Sequence, residues 1–171
     1  MNFLLEIIEI LIPSLIVFLT AFFSIKYFVE NDQKKRLLEL KQTSRSVVTP
    51  IRLQAYERMA MFLERIEPTQ LVLRLNDPQL TVYQFQTLLI SSIRGEYEHN
   101  LSQQVYISSE VWDKIKMAKE EMIKIVNLSA GKFDSDAPSA NLATAIFEQT
   151  ASTSPTHKAM EALKEELRLI F

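Results

Sequence analysis

The chain has no cysteine and only two glycines, Gly95 and Gly131, in 171 residues. Without a thiol there is no disulfide, no thiolate nucleophile and no Cys-ligated zinc, and the composition suits a reducing compartment. Two widely separated glycines cannot build a P-loop or a dinucleotide-binding loop, each of which needs glycines a few residues apart. Concentrated positive charge is missing too. Residues 46–171 carry 13 Lys and Arg against 16 Asp and Glu, a net of −3. A nucleic-acid groove needs a basic stripe, so no nucleic-acid partner is expected. Histidine occurs only at His99 and His157, which leaves imidazole chemistry two places to occur.

What the chain does have is an uncharged run. Residues 10–25, ILIPSLIVFLTAFFSI, are sixteen positions without Asp, Glu, Lys or Arg. As a helix they cover about 24 Å of a ~30 Å hydrocarbon core, and Tyr27, Phe28 and Val29 extend the apolar surface past a snorkelling Lys26. Glu6 and Glu9 mark the entry interface, and Pro13 falls in an early turn, where a missing donor costs least. A cleaved signal peptide is not expected, because no basic residue precedes the run and its exit is bulky. The run reads as a transmembrane helix, residues 1–29 forming a membrane anchor. Lys26, Lys34, Lys35, Arg36, Lys41 and Arg45 follow it closely, so the positive-inside rule places the C-terminal bulk in the cytoplasm. The expected address is the inner membrane, crossed once, with a short N-terminus outside. Lys34, Lys35 and Arg36 are the expected membrane-surface residues, meeting anionic headgroups; the lipid bilayer is the first expected partner.

Residues 30–50 read as a charged juxtamembrane helix. Leu37, Leu40, Ser44, Val47 and Ile51 fall at alternating three- and four-residue steps, a short heptad seam for self-association. Pro50 is expected to break or kink this helix. Residues 51–171 then read as one cytoplasmic helical domain, so the fold class is all-α: a transmembrane helix and a bundle of about five helices. The first, 51–66, turns Tyr56, Met59, Leu63 and Ile66 inward with Leu53 and Phe62 beside them, and Pro68 ends it. Residues 71–75 form a short helix. Thr81 and Gln84 make a capping box for a helix to about residue 104, its stripe being Phe85, Leu89, Ile93, Tyr97, Leu101 and Val105. Gly95 inside it costs about 1 kcal/mol against alanine, and close packing of another helix is one explanation for it. Ser108 caps the next helix, which Gly131 stops, with Val111, Ile115, Ala118, Met122 and Ile125 buried and Trp112 as a core anchor. Helices over 140–150 and 155–170 complete the chain, the last opened by Ser154 and Pro155.

Three stretches, RLQAYERMAMFLERIEPTQLVLRL (52–75), IRGEYEHNLSQQVYISSEVW (93–112) and AKEEMIKIVNLSA (118–130), resemble a family of short uncharacterised bacterial proteins with one N-terminal membrane helix and a helical soluble part. The resemblance covers nearly the whole chain. It implies an architecture and no mechanism.

For chemistry, Glu96 and His99 stand three apart, the E-x-x-H spacing of carboxylate-bridged di-metal sites in helix bundles. Such a site needs a second E-x-x-H and two more glutamates. The nearest substitute is His157 with Glu161, four apart. A metal-dependent enzyme built on Glu96, His99 and His157 is therefore the alternative reading. The leading one makes His99 a residue hydrogen-bonded in a helix interface, with the glutamates solvated or paired to Arg52, Arg58 or Arg94. No serine sits in a nucleophile elbow. The expected function is a non-enzymatic, membrane-anchored interaction or scaffold module without catalytic residue, cofactor or metal, which docks a protein partner or self-associates.

Overall fold

The computed structural model describes residues 2–151 and 154–170, and the side chains of 1–14, 30, 34 and 36–47 lie outside the description. Among the described residues the chain is all-α: α1 (Asn2–Arg65), α2 (Pro68–Leu75), α3 (Val82–His99), a 3-10 turn (Leu101–Val105), α4 (Ser109–Ala130), α5 (Ser139–Thr150) and α6 (His157–Ile170). The backbone contacts divide it into two compact units, Met1–Thr49 and Pro50–Phe171.

The first unit is helical wherever it is described. Among the described residues no helix is long and apolar enough to cross a membrane. Of the expected span, the side chains of residues 10–14 lie outside the described ones. The seam side chains Leu37, Leu40, Ser44 and Val47 lie outside them entirely. Pro50 does not end a helix: α1 is assigned through it to Arg65.

In the second unit the last part of α1 buries Ala55, Tyr56, Met59, Phe62 and Leu63, and Ile66 in the turn beyond it is buried too, along the seam that the 3.6-residue period predicts. Leu53, expected to widen it, is exposed. Glu67 caps α2 by accepting from the Gln70 amide at 3.0 Å, and Pro68 at the first helical position needs no donor, so one proline closes a helix and opens the next. Thr81 and Gln84 form the reciprocal capping box of α3. The expected long helix ends early, at His99. Asn100 caps it, and the chain passes into the 3-10 turn. That turn changes the period, so Leu101 and Val105, expected on the buried stripe, are exposed while Phe85, Leu89 and Ile93 are fully buried.

α4 carries the broadest buried face, with Val111, Trp112, Ile115, Ala118, Met122, Ile125 and Val126 inside. It packs against α3, α5 and α6. Tyr97 bridges the aromatic layer, its ring 5.8 Å from Phe62 and 5.7 Å from Trp112. The loops that open α3 and α5 are clamped together. Val82 N–H donates to Ala137 O at 2.8 Å, Ser139 N–H to Leu80 O at 3.0 Å, and the buried Ser139 hydroxyl to Asp77 O at 2.8 Å. This clamp satisfies buried backbone groups that helices alone would leave unpaired. Gly95 does not mark a close approach: a Cβ there would meet nothing within 4 Å. The last helix starts at His157 rather than at Pro155, with the His157 N–H donating to Ser154 O at 3.1 Å.

Candidate functional site

Gln54, Glu57, Arg58, Met61 and Arg65 recur at three- and four-residue steps, so they share one face of α1. Opposite them the last turn of α3 supplies Glu96, His99 and Asn100. These two faces line a cleft of about 350 Å3 with Phe62 at its floor. Glu96 is held from two sides, 2.9 Å from Arg65 Nε and 3.6 Å from Arg74 Nη1. Arg74 also donates through Nη2 to Arg65 O at 3.2 Å, which ties α2 to the end of α1. The buried Asn100 side chain donates to Glu96 O at 2.8 Å and closes α3. His99 is exposed at the rim.

This geometry corrects two sequence-based expectations. His99 is not buried in a helix interface, because α3 ends there and its side chain faces the open cleft. Glu96 pairs with Arg65 and Arg74, not with Arg52, Arg58 or Arg94. The metal reading is not supported either. His157 lines a different cleft, between α4 and α6, with Lys114, Met117 and Glu161. Glu96 already serves two guanidinium groups, which place positive charge where a cation would bind. Among the described residues no three His, Asp or Glu side chains are grouped to hold a metal ion. Of the membrane-surface residues, Lys35 is exposed, while the side chains of Lys34 and Arg36 lie outside the described residues.

A second polar centre was not foreseen. The buried Tyr56 donates its hydroxyl to Glu166 Oε1 on α6, which also accepts from the Ser108 N–H at 3.0 Å. The Ser108 hydroxyl donates to Glu166 Oε2 and, as the cap of α4, accepts from Val111 N–H at 3.3 Å. Burial pushes the Glu166 carboxyl up, but the hydrogen bonds from Ser108 and Tyr56 and the charge of Arg52 outweigh it and hold it below the usual carboxylate range. Burial and the adjacent Glu166 push Tyr56 the other way, up to about 12. The signal available in the sequence was Tyr56 itself: a buried phenol needs a partner. Nothing in the sequence names Glu166 as that partner.

Comparison with known proteins adds a family to this geometry. The model of a family of unknown function (DUF7935) matches residues 2–170. No curated protein and no solved structure matches the chain. The match runs nearly end to end, and the chain belongs to this family of unknown function.

Proposed function

We propose that the chain is a membrane-tethered helical interaction module, its Pro50–Phe171 unit presented on the cytoplasmic side to a protein partner or to a second copy. The observation that carries this reading is the exposure of residues 15–29. Leu15, Ile16, Val17, Phe18, Phe22, Phe23 and Ile25 all stand more than half exposed, and together they cover every side of the helix. A helix apolar all round needs an apolar environment, and so large a patch marks a membrane or a partner. Thr20 fits hydrocarbon as well, because its hydroxyl donates to its own helix, to Ile16 O and Val17 O at 3.0 and 2.9 Å. With residues 10–14 ahead of it, the uncharged sequence runs over the sixteen positions 10–25. Lys26 and Tyr27 are suited to the boundary, and Lys34, Lys35 and Arg36 to anionic headgroups beyond it. The seam of Leu37, Leu40, Val47 and Ile51 would let tethered copies pair, since confinement to a membrane raises their effective concentration.

The test is flotation of the full chain with vesicles, followed by labelling in cells. Protein that floats and resists alkaline extraction supports the tether, and protein left in the supernatant overturns it. The chain lacks cysteine, so Asn2→Cys and Asp134→Cys each report one position. A membrane-impermeant thiol reagent should label the first in intact cells and not the second. The reverse pattern would refute the orientation.

A further inference from the structure

We propose that the cleft between α1 and α3 is a binding site for a small oxyanion, a phosphate or carboxylate group on a compact ligand, held by Arg58, Arg65 and His99. The cleft's volume, about 350 Å3, is at the small end of the range for small-molecule sites. Its charges balance, in a chain that is −2 overall. Arg58, Arg65 and Arg74 stand around it against Glu57 and Glu96, and Glu64 lines the neighbouring depression with Arg65, Gln70 and Arg74.

The arrangement of partners matters more than the count. Glu96 is engaged by two arginines, so it neutralises part of their charge and fixes where Arg65 lies. It reaches Arg65 through Nε, and no other ion pair or hydrogen bond among the described residues engages the terminal amino groups of that guanidinium. Arg58 has no ion pair or hydrogen bond among the described residues, and it lines the same cleft. Two planar forks of donors facing one cleft suit the oxygens of a phosphate or carboxylate. His99 adds a ring N–H, which it has in either protonation state, and the amide of Gln54 adds a neutral donor. Met61 and Phe62 supply an apolar wall for whatever carries the anion. Glu57 is the one carboxylate lining the cleft with no ion pair among the described residues, and it would select against ligands of high negative charge.

The two histidines make the test internally controlled. Their ring resonances are followed in the full chain in detergent micelles, titrated with inorganic phosphate and, separately, with acetate. Chloride at matched ionic strength is the blank. The His99 signals should move and saturate with a midpoint at about 1 mM for the preferred anion, while His157, in the α4–α6 cleft, stays still. Arg58→Gln, an exposed and unpaired position, should raise the midpoint about tenfold, the loss expected for one hydrogen bond to a charged group. Unchanged helicity of that variant keeps a folding defect apart from a binding defect. Saturation by phosphate alone or by acetate alone each supports the site and names the group it takes. Equal movement of both histidines, no saturation with either anion, or an Arg58→Gln titration identical to the parent would overturn it.

Discussion

Tyr56 on α1 donates its hydroxyl to Glu166 on α6, 110 residues further along the chain, and Ser108 at the start of α4 meets the same carboxylate. One side chain therefore ties three helices together at a point where each brings a group that would otherwise be underused. The phenol is buried, the serine has a free hydroxyl hydrogen, and the carboxylate is partly shielded from water. Removing the charge while keeping the shape tests the tie. Glu166→Gln should lower the stability of the folded unit by about 1–3 kcal/mol, read from chemical denaturation. Tyr56→Phe should cost less, about 0.5–1.5 kcal/mol, because it removes one donor and leaves the carboxylate its Ser108 bonds.

The same centre predicts a pH dependence with two edges. The Glu166 carboxyl lies lower in the fold than its ordinary value of 4.5, so its contribution is present above that value and is lost as pH falls below it. Tyr56 is raised from 10.0 to about 12, so its contribution is complete below pH 10 and is lost as pH rises from 10 towards 12. Melting temperature against pH should show both losses. In Glu166→Gln the acid-side loss should shrink, and an unchanged acid limb would place it on another carboxylate.

Gly95 is a helix-interior glycine on an exposed face with open space above it. No steric reason in the folded unit keeps it glycine. Gly95→Ala should therefore stabilise the protein by about 0.5–1 kcal/mol, through a less flexible unfolded chain and better helix propensity. A loss of stability in thermal melts would reveal a contact absent from this structure.

Leu89 and Glu98 lie on opposite sides of α3, the first fully buried and the second exposed. Leu89→Ala should cost about 2–5 kcal/mol, the range for a cavity in a packed core. Glu98→Ala should change stability by no more than about 0.5 kcal/mol. Denaturant midpoints of the two variants give the comparison directly, and similar values would mean the wrong face of α3 is inside.

Helix content and the buried faces of α3 and α4 were legible in the amino-acid sequence, because local chemistry decides them. Spacing put Phe85, Leu89 and Ile93 on one stripe, and the hydroxyls of Thr81 and Ser108 announced where α3 and α4 begin. The resemblance to an uncharacterised family was visible there too, and the match over residues 2–170 shows membership in a family of unknown function. The stop of α3 at His99 was not legible, since Tyr97, Leu101 and Val105 continue the same spacing and only the turn at Asn100 breaks it. Pro50 misled in the other direction: a proline weakens a helix by one hydrogen bond and a ring clash, yet α1 is assigned through it. Long-range pairing was out of reach altogether. Charged side chains have several candidate partners within any sequence, and which one Glu96 meets depends on α2 folding back to bring Arg74 beside Arg65. The same holds for Glu166, one acid among several on α6, singled out because packing of α6 against α4 places it beside Ser108 and the buried Tyr56. Periodicity and capping act within a few residues and survive translation into sequence rules, whereas a polar contact between distant helices exists only once the core has fixed their relative positions.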